Sequence, residues 1–401
     1  MKILVLGGAG GMASGTVRDL VAPYSRNVID IVVADTSFQK ADALVTELGD
    51  TRLGARMLDV SDRRALRDAL EGRDLCINAV PTFAGHQMAI FEACFDARVA
   101  YVDFGGMGVF TVRQKAHHAR WQEAGVTAVL GLGADPGVSN VICKAVAERL
   151  DRIDAINLYW AAKKFGAESP VLEPPYAVST VLAEYANPSQ QFIGGELREM
   201  PPRSGREVLH LPDPFGPTEF MFTQHSEPLT VPFADGIREK GIREFTWKLH
   251  LPDREHEAWT GLVKAGFGGF DDPLTVDGVA VTPGRFLDAL IRRNVERNSH
   301  SIPETTSQEL HLAVGHGEAN GCPTTVNCAV MSRSDPFYAK YLDAGTSMGL
   351  SIGVQLMGDA PLRPGVWGPE EYFEVSPFLQ ELKRRRFIVV NDLPLGRGDI
   401  R

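Results

Sequence analysis

Gly8, Gly10 and Ala13 stand in G-x-G-x-x-A spacing directly after the apolar run "ILVLG" of a 401-residue chain. Three small residues at that spacing between a strand and a helix suit the cradling of a pyrophosphate, with a purely structural glycine turn as the alternative. Gly8 permits a tight turn, Gly10 lets the backbone approach the phosphates, and Ala13 lets helix pack on strand. Gly11 and Met12 fall where the new helix offers free N–H groups and its positive dipole end. Val17, Leu20 and Val21 continue that helix. An acid closes the second strand-like run, Asp35 in "DIVVAD". It is placed to accept hydrogen bonds from an adenosine ribose, and its charge favours NAD over NADP, which Lys40 nearby leaves open. Further strand ends point to the same crevice: Asp59 and Val60, then Asn78, Ala79, Val80 and Pro81, then Asp103 to Gly108 with Gly105 among them. Open α/β sheets bind ligands at the carboxyl ends of their strands.

These residues need a sheet to hold them. "KILVL", "DIVVAD", "ARMLDV", "DLCINAV", "VAYVDF" and "VTAVLGL" are short, continuous and rich in Val, Ile and Leu, as strands buried on both faces are. Amphipathic helical segments separate them, among them "SDRRALRDALEG" with Ser61 as its expected N-cap. Six strands with helical crossovers predict an α/β fold: an N-terminal Rossmann doubly wound parallel sheet over residues 1–140. From about 141 to 334 the runs lengthen and alternate, as in "AINLYWAAKK", "REFTWKLHL" and "TTVNCAVMSR", with "GG" and "DG" turn signals. This predicts a second, α+β domain of mixed, largely antiparallel sheet. Residues 335–401 return to helical patterning and are expected to fold back on the first domain.

Bulk properties exclude several classes. A net charge of −10 argues against a nucleic-acid partner. No apolar run reaches the length of a membrane span, and no leader-like region opens the chain. The five cysteines are scattered, which fits a reducing cytoplasm. His316, Cys322 and Cys328 match no compact zinc spacing, so no metal is expected. No G-x-S-x-G elbow or phosphate-binding G-x-x-x-x-G-K-[ST] loop is present.

"GGAGGMA", "ADTSFQKADAL", "NAVPTF", "YVDFGG" and above all "GLGADPGVSN" resemble the saccharopine dehydrogenase-like oxidoreductases. "FGPTEFMFT" and the tail "GVWGPEEYF" look closest, within that group, to lysine 6-dehydrogenase. The resemblance implies a nicotinamide enzyme working at a carbon–nitrogen bond, with substrate held between a Rossmann domain and an α/β domain. It also implies that Asp135, Pro136 and Gly137 lie near the nicotinamide.

Such chemistry needs a group that handles the amine proton and a carboxylate beside the cation. Candidates are Asp103, Asp135, Glu219 and His225; Asp135 reads equally as a cap of the following helix, and Glu219 as a solvent-facing strand residue. Lys163 or Lys164 and Arg243 are candidate partners for a substrate carboxylate, with Thr223 also assigned to the substrate. The specific expectation is oxidative deamination of lysine at its side-chain amine, by a homo-oligomer. The alternatives are reductive condensation to a secondary amine, as in saccharopine reductase or carboxynorspermidine and homospermidine synthases, and a non-catalytic NAD-binding sensor.

Overall fold

The computed structural model describes residues 1–105, 108–303 and 305–397. Gly106 and Met107, in the loop expected beside the cofactor, lie outside the described residues. Six strands open the chain: β1 Lys2–Leu6, β2 Asp30–Asp35, β3 Leu53–Met57, β4 Leu75–Asn78, β5 Ala100–Asp103 and β6 Thr127–Val129. The second half adds β7 Arg152–Phe165, β8 Ser189–Ile193, β9 Glu196–Met200, β10 Glu207–His210, β11 Pro217–Phe222, β12 Glu244–His250, β13 Leu274–Val276, β14 Val279–Val281, β15 Thr306–Ala319 and β16 Cys322–Met331. The last strands are β17 Gly365–Trp367, β18 Ile388–Asn391 and β19 Gly396–Arg397.

The first sheet runs β17-β6-β5-β4-β1-β2-β3 with every pairing parallel. Its strands are almost wholly apolar because helices cover both faces. Strand order reverses at β1, which has β2 on one side and β4 on the other, so the switch crevice opens above β1 and β4. The seventh strand, β17, arrives from the far end of the chain. The second sheet has ten strands and is mostly antiparallel, as the alternating runs predict; its exception is β7 with β12, which run parallel.

The helix Gly11–Leu20 packs on the helix Ala344–Met357 through small residues. A Cβ on Gly15 would sit 2.4 Å from Ser347 Oγ, and Ser347 in turn donates to the Met12 carbonyl at 2.9 Å. Beneath, the buried Arg385 guanidinium meets the buried Asp19 carboxylate at 2.8 Å, tying the first helix to the end of the helix Val375–Arg384. One local expectation shifts: Asp62, not Ser61, caps the helix Arg63–Leu70, accepting from the Arg64 and Ala65 N–H groups at 3.0 Å. Among the described residues no helix is long and apolar enough to cross a membrane.

Candidate active site between the two sheets

The glycine turn is built one residue earlier than its spacing suggests. Gly7, not Gly8, carries the left-handed torsion, with φ +68°, and a Cβ there would lie 2.9 Å from the Ala79 carbonyl oxygen. Gly8 instead joins the turn to the second strand. Its N–H bonds the Ala34 carbonyl at 3.0 Å, and a Cβ would press within 2.8 Å of Val33. The first-turn N–H groups of the helix Gly11–Leu20 have no partner within the helix, as at any helix start. Asp35 ends β2 beside this loop, accepting from the Ala9 N–H at 3.2 Å and the Ser37 N–H at 3.0 Å. Two oxygens holding one donor each retain acceptor capacity for ribose hydroxyls. The cradle and the acid together fit a dinucleotide. Asp35→Ala is expected to weaken NAD by about tenfold to a hundredfold, the worth of a charged hydrogen bond, and NADP far less. Equal losses in fluorescence titrations of the two cofactors would remove the ribose assignment.

The helix start opens on a cleft of about 1270 Å³ between the sheets. Gly10 to Ala13, Asn78 to Pro81, Gly105 and Asp135 lie on its wall. Asp59 and Val60 follow β3 and are not on that wall; Asp59 turns back to accept the Ser61 N–H at 2.8 Å.

Asp103 proves to be an organiser of the crevice. It is 1% exposed, and its two oxygens accept from the Gly105 and Gly131 N–H groups, the Tyr101 hydroxyl, and the Gln87 and Gln114 amides. That inventory leaves nothing for a substrate proton, so its expected acid–base role gives way to holding the loops after β5 and β6.

Asp135 follows β6 in the loop "ADPG". Its carboxylate does not cap the next helix. Oδ2 pairs with His311 Nδ1 at 2.6 Å, and buried Oδ1 has no hydrogen-bond partner. The loop is closely built: Gly133 N–H bonds the Pro136 carbonyl at 2.7 Å, and Asn140 Oδ1 receives the Gly137 N–H at 2.9 Å. Burial pushes the Asp135 pKa upward against the opposing pull of His311. For His311, burial acts downward, but Asp135 and then Glu309 outweigh it and hold the imidazole at about 9.

His225 also lines the cleft, its ring stacked on Trp247 with centroids 4.0 Å apart. Nδ1 bonds the fully buried Glu227, which also accepts from Ser139 Oγ at 2.7 Å. Ser139 belongs to the first turn after "ADPG", so one hydrogen-bonded chain joins that loop to the imidazole. Burial would lower the His225 pKa; the Glu227 charge and hydrogen bond, with Glu184 and Asp135 behind them, raise it to about 9. Thr223 is buried and does not line the cleft; its hydroxyl accepts the Trp247 indole N–H at 2.9 Å and so fixes the ring under His225.

Three expected residues are elsewhere. Glu219 faces solvent on β11 and pairs with Arg206 at 3.1 Å. Lys163 is exposed and donates to the Pro214 carbonyl, whereas its neighbour Lys164 reaches the cleft wall and pairs with Glu255. Arg243 is exposed and off the wall. Period-two alternation explains Glu219 and Lys163, since adjacent strand residues face opposite ways; Arg243 lies just before β12, outside any strand.

Three ionisable residues of the site carry no signal of their own in the sequence motifs. Glu309 and His311 alternate with Leu310 and Leu312 on β15, a polar face opposite an apolar one, which was the available signal. Glu184 is the lone acid of the apolar helix Val178–Ala186 and bonds the Tyr176 hydroxyl. Burial raises Glu184 to about 7, and burial with Asp343 raises Glu309 to about 8. Eight wall residues are Asp or Glu, against one Lys and one Arg. Among the described residues no group of three or more His, Cys, Asp and Glu is arranged to hold a metal ion.

Residues 3–129 match the family model described as the saccharopine dehydrogenase NADP binding domain. A carboxynorspermidine synthase of Vibrio alginolyticus is 26% identical over 329 residues, covering 73% of this chain and 72% of the relative. Saccharopine dehydrogenase (L-Glu forming) of Saccharomyces cerevisiae superposes with a TM-score of 0.70 at 16% identity, covering 98% of this chain and 100% of that one. Homospermidine synthase of Legionella pneumophila, solved with NAD, gives 0.71 at 10% identity, covering 98% and 91%. The glycine cradle and the parallel sheet thus lie in a stretch that matches the saccharopine dehydrogenase NADP binding domain, and the chain as a whole shares the fold of the saccharopine dehydrogenase and homospermidine synthase structures.

Proposed function

We propose that this enzyme condenses a primary amine with a carbonyl compound and reduces the resulting imine to a secondary amine, preferring an α,ω-diamine as the amine. The observation that carries this reading is the surplus of carboxylates on the cleft wall, seven besides the committed Asp103 and too many for one ammonium group. The synthase among its relatives supports condensation over the lysine deamination expected from the sequence. Lys164 and Arg333, the wall's two fixed cations, suit a carboxylate on the carbonyl partner.

One ammonium group of the diamine gives its proton to an ionised wall carboxylate such as Glu184, the freed amine adds to the carbonyl carbon, and the carbinolamine loses water to leave an iminium ready for reduction. Gly10 to Ala13 and Asp35 would hold a nicotinamide dinucleotide, which when bound would supply the hydride that reduces the iminium. His225, protonated at neutral pH by the influence of Glu227, donates the proton that departs with the water. The His311–Asp135 pair and Glu309, on the same cleft, stabilise the developing iminium charge. We further propose 1–140, 141–334 and 335–401 as the working units: dinucleotide binding, substrate enclosure, and support of the first by the last.

The test supplies NADH or NADPH with an amino-acid semialdehyde and diamines of increasing length. Oxidation of the cofactor only when both partners are present supports condensation. NADH formation from NAD and lysine alone restores deamination, and cofactor binding without turnover restores the sensor. A pH signature accompanies it. A bound dication favours ionised Glu184 and Glu309, whose pKa values stand at about 7 and about 8 in the free protein. Diamine binding therefore expels protons, and affinity should rise as pH climbs from 6.5 to 8. Calorimetry in buffers of different ionisation enthalpy measures the released protons directly.

A further inference from the structure

The hairpin of β13 and β14 stands apart from both large sheets and forms a two-stranded sheet by itself. Residues 271–280 are exposed without interruption. Its register sets Leu274 opposite Val281 and Val276 opposite Val279. Directly opposed residues share a face, so one side of the arm carries four aliphatic side chains and no polar one. Leu274, Val276 and Val279 are 58%, 52% and 62% exposed, among the most exposed large apolar residues of the chain. A lone hairpin is marginal in water, and an aliphatic face left wet makes it more so. This arm is built to be covered.

The helix that follows, Pro283–Asn298, carries a second exposed surface of opposite charge. Residues 285, 289, 293 and 297 recur every four positions and form one stripe, which reads Arg285, Ala289, Arg293 and Arg297 and is exposed along the helix. Phe286 borders that stripe and is 51% exposed. The arm meanwhile is acidic at base and tip, with Asp271, Asp272 and Asp277. An aliphatic arm edged by aspartates and a basic stripe that carries Ala289 and borders Phe286 are complementary in charge and share an apolar patch. Both are carried by every copy of the chain, which is the requirement for a two-fold, self-complementary contact.

We propose that the β13–β14 arm is a dimerisation arm that lies on the Arg285–Arg297 stripe of a second copy of this chain. Each arm buries its aliphatic face against the partner's Phe286 and Ala289, and its aspartates meet the partner's arginines. The contact is independent of the cleft chemistry.

Sedimentation velocity on the full chain tests it. The native protein should sediment at twice the chain mass. Val276→Asp with Val279→Asp should convert it to a single-chain species whose circular dichroism and melting temperature show the fold retained. Arg293→Asp with Arg297→Asp, on the other surface, should do the same, and combining it with Asp271→Arg and Asp277→Arg should restore part of the dimer. A native protein of single-chain mass overturns the proposal, as does a two-chain mass that survives both double substitutions. Either failure leaves the condensation assay unaffected, so the two readings fall separately.

Discussion

His225→Ala is expected to lower kcat by about 10²–10⁴-fold, the usual worth of a positioned acid–base group, while KM for the diamine changes little. The imidazole lies between the Trp247 face and Glu227, which fixes its plane and commits Nδ1, so Nε2 is the nitrogen left for substrate. Its raised pKa has a direct kinetic signature. Protonated imidazole is the working form, so kcat should hold through neutrality and fall as pH passes about 9. Glu227→Gln removes the charge that offsets burial, and the alkaline limb should then move to lower pH. Ser139→Ala should move it in the same direction by less, because Ser139 acts only through Glu227. A residue that merely fills space would change stability and leave the limb in place. An H225A enzyme within a few-fold of native kcat would dismiss the assignment.

Gly137→Ala should be the most damaging small substitution in the chain. At φ +134° its torsion disfavours any side chain, and a Cβ would lie 2.1 Å from the Gly133 carbonyl oxygen and 2.4 Å from the Gly133 nitrogen. Those atoms are backbone and cannot step aside as a side chain can. Unfavourable torsion and overpacking, about 1–3 kcal/mol each, add to at least about 3 kcal/mol lost. Relief requires the loop to open, which withdraws Asp135 from His311 and Ser139 from Glu227. The melting temperature should fall, and turnover should fall further than stability predicts at a temperature where the variant is folded. Normal turnover in a destabilised G137A variant would show that the loop does not position the catalytic groups.

Legibility in the sequence followed the range of the physics. The parallel sheet was readable because continuous apolar strands and small residues at a phosphate turn are local patterns. Asp35, the loop "ADPG" and the wall residues Asn78 to Pro81 came with it, since they end those strands. His311, Glu309 and Glu184 were not readable as site residues. Their meaning depends on which sheet faces which, and β15 meets Asp135 across more than 170 residues of chain, from 135 to 309. Glu219, Lys163 and Arg243 failed for the converse reason: each sits in a suggestive stretch, but Glu219 and Lys163 are on the strand face turned to solvent and Arg243 is exposed just before β12. Asp103 shows a third limit. Its type and place suit catalysis, and only the five donors around it reveal that its lone pairs are spent.

Gly345, Gly349 and Gly353 form a stripe along the helix Ala344–Met357, and a Cβ on Gly349 would lie 2.3 Å from the Gly133 carbonyl oxygen. The same helix presses on the glycine turn from its other side through Ser347. A ribosome therefore delivers the two loops of the dinucleotide crevice early and the piece that clasps them last. Until that piece and β17 arrive, the nascent first domain lacks an edge strand and leaves the Gly11–Leu20 helix bare on one side. Cofactor affinity should consequently appear late in synthesis, and a fragment cut to the 3–129 family match should be a poor binder on its own. The stretch recognised by sequence comparison thus ends before β17 and the helix Ala344–Met357, which supply the edge and the backing of the crevice.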